Sequence, residues 1–319
     1  MIQLLANNRE TVHVVQERNW IPHLLRWLKL HDRPAVQIEA LWALTSIAGV
    51  NDSNMNGSNL PDNLLKPPSK GGKRSASSMS KSHSLLVRHD AIPLLTNLLS
   101  SMNSEVHEQA MWILGSVAGE GNAARDSILA AGVLPSLVSC LEKNSKNIPL
   151  QRIGSWTLSN LVDGQPRPTI NVDRVLPTLR RLLNNADAEV LSHTCWALSH
   201  MCDGPTSHIA AVVGGNGGKS LVPRLIDLLM HASWRVTKPA LRTIGNIVCA
   251  EDEKDYTESI IDHGAVPYLR QLVCHQNKEI QKEACWTLSN IAAGTTSQIQ
   301  AVIESGAIPL IMKVSLQWH

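Results

Sequence analysis

The 319-residue chain has a formal net charge of +2 with histidine counted neutral, which argues against nucleic-acid binding built on bulk basicity. Its hydrophobic content, 43%, suffices for a core, yet it has no Phe, two Tyr and nine Trp, so Leu, Ile and Val must do the packing. No apolar run is long enough to cross a bilayer, the start "MIQLLANNRETVHVV" turns polar too early for a secretory segment, and the six Cys form no CxxC pair; a reduced, intracellular chain is expected.

In chain order, the first landmark is an apolar residue followed by proline, at Ile21-Pro22, Ile92-Pro93, Leu134-Pro135, Leu176-Pro177, Val222-Pro223, Val266-Pro267 and Ile308-Pro309. Successive prolines are 71, 42, 42, 46, 44 and 42 residues apart. Apart from the first, these spacings fall in the window of about 40–47 residues expected of armadillo-type helical repeats. A Gly or polar pair before the proline ("AAGVLP", "DHGAVP", "ESGAIP") predicts a helix end and a helix start. An apolar helix such as "PTLRRLLNN" follows, then a polar turn and a longer helix such as "KEIQKEACWTLSNIAAG", whose Ile280, Ala284, Leu288 and Ile291 form one buried stripe. The fold class is all-α: a right-handed superhelical solenoid of armadillo repeats over residues 1–319, with about six full repeats and a partial repeat at each end.

The long spacing is accounted for by residues 51–84, "NDSNMNGSNLPDNLLKPPSKGGKRSASSMSKSHS". Rich in Ser, Asn, Gly, Pro and Lys, this segment cannot bury enough surface to offset its ordering entropy and is expected to be a disordered insertion. Its "KGGKR" at 70–74 has two readings: an inert solvated loop, or a tethered basic segment competing in cis for a nearby groove.

The longer helices share a second landmark: a Trp, then a small or polar residue four positions on, in "LWALTSIAGV", "MWILGSVAGEG", "SWTLSNLVDG", "CWALSHMCDG" and "ACWTLSNIAAG". Residues four apart share a helix face. An Asn there offers a donor and an acceptor to the backbone of an extended peptide, and an indole beside it holds the stem and head of Lys or Arg. The ladder reads Trp42/Ser46, Trp112/Ser116, Trp156/Asn160, Trp196/His200, Arg242/Asn246 and Trp286/Asn290. The competing reading, that each Trp is simply core, is weakened by the polar partner in every unit, which a buried stripe avoids.

Two other motifs are set aside. "VGGNGGKS" at 213–220 imitates a phosphate loop, but the leading Gly position is Val213 and no strand precedes it. His193, Cys195, His200 and Cys202 resemble a zinc set, yet on one helix 193 and 200 share a face, as do 195 and 202, and the two faces point about 160° apart. No metal site, cofactor or catalytic arrangement is legible, and the chain is not expected to be an enzyme.

The phrases "EQAMWILGSVAGEG", "RIGSWTLSNLVDG", "LPTLRRLLNNADAEVLSHTCWALSHMCDGP", "PALRTIGNIVCAEDE" and "IQKEACWTLSNIAAG" resemble importin-α, the armadillo adaptor of nuclear import, over nearly all the chain outside the insertion. The resemblance implies a major peptide site at Trp42, Ser46, Gln109, Trp112, Ser116, Glu120, Trp156 and Asn160, with Glu120 receiving the key signal lysine where the family usually has Asp. It implies a minor site at Arg242, Asn246, Asp252, Glu283, Trp286 and Asn290, with Trp196 and His200 elsewhere in the groove. The implied partners are proteins carrying basic nuclear localisation signals, with neither nucleic acid nor membrane, and the implied locations are cytoplasm and nucleus.

The departures carry their own expectations. Ser46 and Ser116 replace Asn and weaken the backbone clamp; His193 stands where the family tends to have Asp, and Asp163 where it tends to have a basic residue. The family's importin-β-binding domain is not found, so importin-β binding is not expected from this sequence. An alternative is an armadillo scaffold of the catenin kind, binding acidic extended peptides in signalling or adhesion. Its groove would be lined with Lys and Arg, whereas Glu39, Glu120, Asp203, Asp252 and Glu283 stand near the Trp positions here, with Arg152, Arg242 and His193 as exceptions.

Overall fold

A computed structural model describes residues 19–49, 83–214, 218–250 and 255–315. All regular structure among the described residues is helical. The chain divides into two compact units, Met1–Lys143 and Asn144–His319. No single helix among the described residues is long and apolar enough to cross a membrane.

In the first unit, α1 (Ile21–Leu28) and α2 (Pro34–Gly49) precede α3 (His83–Arg88), α4 (Ala91–Leu98), α5 (Ser104–Ala118), α6 (Asn122–Ala130) and α7 (Val133–Lys143). In the second, α8 (Ile148–Val162) is followed by α9 (Val172–Leu183), α10 (Ala188–Cys202), α11 (Thr206–Val213), α12 (Val222–Leu228), α13 (Trp234–Val248), α14 (Thr257–Asp262), α15 (Ala265–Val273), α16 (Lys278–Ile291), α17 (Thr296–Glu304) and α18 (Ala307–Ser315). The complete repeat is therefore a short helix, a proline-bearing helix and a long helix; the short leading helix gives no separate periodic signal in the sequence. The expected insertion lies outside the described residues except for His83 and Ser84, which begin α3.

At five of the seven apolar-proline landmarks a left-handed residue stands three positions before the proline, at the entry to the proline-bearing helix. Gly132, Gly264 and Gly306 occupy it with φ of 75°, 77° and 70°, and Asn19 and Asp90 occupy it with φ of 52° and 53°. Asn and Asp are the side chains that enter this region most readily after glycine. The rule fails at Pro223, where Ser220 holds the position without a left-handed φ, and at Pro177. That proline lies inside α9, which begins five residues earlier at Val172 under an Asn171 cap accepting from the Arg174 N–H. The proline landmark predicts a start there, but the Asn cap sets it.

The polar turns before α5, α10, α13 and α16 share one closure. A side-chain acceptor takes the N–H two residues on: Ser101 Oγ from Asn103 (3.2 Å), Asn185 Oδ1 from Asp187 (2.8 Å), His231 Nδ1 from Ser233 (3.0 Å) and His275 Nδ1 from Asn277 (2.9 Å). The long helices α5, α8, α10 and α16 are capped by Asn103, Asn147, Asp187 and Asn277, each accepting from first-turn amides, whereas Ser233 before α13 makes no such side-chain bond. Their apolar stripes are fully buried; Ile280, Ala284, Leu288 and Ile291 each show no exposed surface. Within the second unit α8 packs on α10, α10 on α13 and α13 on α16; within the first, α2 packs on α5. The rungs are thus set side by side in each unit.

Candidate functional site

In the first unit the ladder positions emerge from the core on adjacent helices. On α5, Gln109, Trp112 and Ser116 are half-buried, while their neighbours Ala110, Met111 and Leu114 are fully covered. On α2, Trp42 is 40% exposed and its indole N–H donates to Glu105 Oε1 at 3.3 Å, while Thr45 Oγ1 donates to Gln109 Oε1 at 3.4 Å. Ser46 belongs to α2, but its side chain lies outside the description. Glu120, half-buried, stands in the turn after α5, its N–H on the Val117 carbonyl.

The second unit carries four rungs. Trp156 is buried to 8% exposure, so here the core reading of the Trp holds more strongly than at Trp42; Asn160 below it is half-buried. Trp196 and His200 stack with ring centroids 5.8 Å apart and planes 23° apart. His200 Nδ1 lies 3.1 Å from Asp163 Oδ1, and Arg167 joins Asp163 to Asp203, reaching the Asp203 carboxylate through Nη2 and its carbonyl through Nε at 3.1 Å. Asn246 donates its amide to the Ser199 carbonyl of the preceding long helix at 2.9 Å. Asn290 is half-buried, and its Nδ2 has no hydrogen-bond partner among the described residues. Asp252 lies outside the described residues.

Arg242 and Trp286, read from sequence as separate rungs, meet. The Arg242 guanidinium lies 5.5 Å from the Trp286 ring centre, and its Nη2 is 2.6 Å from Glu283 Oε2. Trp286 reaches this position because Gly245 leaves room: a Cβ on Gly245 would stand 2.4 Å from Trp286 Cζ3 and 3.0 Å from Thr287 Oγ1.

The acidic lining read from sequence is therefore partly balanced within the second unit. Glu283 is held by Arg242, and Asp203 by Arg167. Arg152 is committed to Asp187 at 2.6 Å and Glu189 at 3.4 Å. The Asp187 hydrogen bond raises the Arg152 pKa. Burial alone would raise the Asp187 pKa, but Arg152 and the first-turn amides of α10 outweigh it and hold the carboxyl below its ordinary value. Glu39 is exposed. Arg167 carries no periodic signal in the sequence, because it sits in an irregular segment 36 residues from its partner Asp203; the unusual acid at Asp163 is its one pointer.

Of the metal decoy, Cys195 and Cys202 are buried and their thiols pushed up to about 12, chiefly by burial. Among the described residues, no group of three or more His, Cys, Asp or Glu is arranged to hold a metal ion. Val213 closes α11, and Gly214 follows with φ of 100°; residues 215–217 of the phosphate-loop decoy lie outside the described residues.

Stacked three-helix repeats with left-handed turns and a recurrent polar rung define an armadillo-repeat protein, and the chain belongs to that class. The Armadillo/beta-catenin-like repeat model matches residues 84–119, 165–203 and 254–293. Within the class the likeness is to importin α. The chain is 40% identical over 294 residues to importin subunit alpha-1a of Oryza sativa subsp. japonica, covering 91% of this chain and 49% of that protein. It is also 40% identical over 294 residues to importin subunit alpha-4 of Arabidopsis thaliana, covering 91% and 48%. The chain spans about half the length of these curated relatives. Among solved structures it is similar to an engineered protein with a TM-score of 0.78 and 26% identity over 98% of this chain and 67% of that one. Computationally designed armadillo repeat proteins for modular peptide recognition match with a TM-score of 0.62 and 26% identity over 72% of this chain and 92% of theirs.

Proposed function

We propose that the chain is an adaptor that binds basic nuclear localisation signals in extended form along its Trp/polar ladders and serves protein import, moving between cytoplasm and nucleus. The observation that carries this reading is the rung itself. On α5, α10 and α16 an indole and a polar residue four positions later, Trp112/Ser116, Trp196/His200 and Trp286/Asn290, are both half-buried at the edge of the core rather than inside it. Such a pair serves a peptide backbone through the polar group and a basic side chain through the indole. The alignment with importin subunits alpha supports the same reading, as does the likeness to armadillo proteins designed for peptide recognition.

In the first unit Trp42, Ser46, Gln109, Trp112, Ser116 and Glu120 would take the peptide; in the second, Trp156 and Asn160 would do so, and Arg242, Asn246, Asp252, Glu283, Trp286 and Asn290 would form the minor site. The test is a titration of the purified chain with a lysine-rich signal peptide and its Lys→Ala control. Glu120→Lys sets a like charge against the incoming lysine and should weaken binding by about tenfold or more. Equal binding of the signal and its control, or an unchanged affinity in Glu120→Lys, refutes the assignment.

A further inference from the structure

Among the described rungs of the second unit, one ends in a titratable imidazole. Asn160, Asn246 and Asn290 do not titrate; His200 does. Its ring is stacked on Trp196, and its side chain is 20% exposed, so it borders the groove. Around it, Asp163, Arg167 and Asp203 are linked into one chain of contacts. With His200 neutral, this group carries one net negative charge; a proton on the imidazole cancels it.

We infer that His200 is a proton-operated control on the groove: neutral, it leaves the central rung net negative and attractive to a basic peptide, and protonated, it removes that attraction. The inference rests on the peptide-binding reading above. Among the described residues, the charged and titratable groups facing His200 are few. Asp163 and Arg167 come from the end of α8 and the segment after it, and Asp203 caps His200's own helix. His208 of α11 lines the same small hollow as His200, Arg167 and Met201. From α13, Asn246 approaches at the Ser199 carbonyl and is uncharged, while Arg242 is held by Glu283. His193, two turns earlier on α10, is buried and feels Asp187. Burial disfavours the imidazolium and Arg167 works in the same direction; Asp163 and Asp203 oppose them, and the net shift is downward. The rung therefore stays in its attractive state at neutral pH and discharges on acidification.

The test uses a fluorescent octapeptide of alternating Lys and Arg, which does not itself titrate between pH 7.5 and 5.0. Its affinity is measured at both values and constant ionic strength, with circular dichroism to verify equal folding. The whole chain should lose about threefold or more in affinity at the lower pH. His200→Asn and His200→Gln should lose markedly less, while His193→Asn should behave as the parent. A pH-independent affinity in the parent, or the same loss in both His200 variants, overturns the inference and leaves peptide binding standing. Absence of binding at pH 7.5 overturns both.

Discussion

At the residue scale, the recurring tryptophan is not one environment. Trp156 is almost fully covered, whereas Trp42 leaves 40% of its surface to solvent. Both sit four residues before a polar partner, so the sequence pattern makes them equals; packing does not. Replacing Trp156 by Ala opens a cavity and should cost about 3–5 kcal/mol of stability. Trp42→Ala removes mostly exposed surface and should cost about 1 kcal/mol. Urea unfolding followed by circular dichroism distinguishes them, and equal midpoints would show that burial does not separate the two.

At the element scale, α10 couples helix packing to pH. His193 is buried in it, and burial holds its pKa down to about 4 although Asp187 pulls upward. In the unfolded chain histidine takes up a proton near pH 6.5. Below that value the unfolded state binds more protons than the folded one, so stability falls as pH drops from about 6.5 toward 4. At pH 5 the loss from His193 amounts to about 2 kcal/mol. Denaturation midpoints at pH 7 and pH 5 should differ less in His193→Asn than in the parent; identical differences would remove His193 as the cause.

The same scale shows what a sequence can carry. The stripe of Ile280, Ala284, Leu288 and Ile291 was legible because helical spacing is a local property, and so was the pairing of Trp with its fourth neighbour. The start of α9 was not, because Asn171 and Pro177 give competing start signals and the cap prevailed. Nor were the contacts between Arg167 and Asp203 or between Arg242 and Trp286, since they depend on which repeat lies against which. The charge contrast beside the ladder was readable as composition but not as pairing.

At the scale of the whole molecule, packing within each unit passes from one long helix to the next: α2 to α5 in one, α8 to α10 to α13 to α16 in the other. Stability in such an arrangement is close to a sum of repeat and neighbour contributions, so a defect stays near its origin. Leu288 is fully buried in α16, and Leu288→Ala should cost about 2–5 kcal/mol there. Hydrogen exchange should accelerate most in α15, α16 and α17, less in α13, and least in α8. Uniform acceleration across the second unit would show instead that it opens as one cooperative body.

The hollow at Gly245 makes neighbouring repeats lock and key. The indole of Trp286 needs the space where any side chain at 245 would begin, and Thr287 crowds the same point. The corresponding position, three residues after the rung's first member, is Ser159 on α8 and Ser199 on α10. A chain rebuilt with α16 set against either helix would meet a serine where it requires bare backbone. The repeats look like interchangeable bricks in sequence, yet the α13–α16 joint rejects α8 and α10 in place of α13, with Gly115 on α5 offering the same bare backbone, so part of the order in which the repeats follow one another is written into the fold.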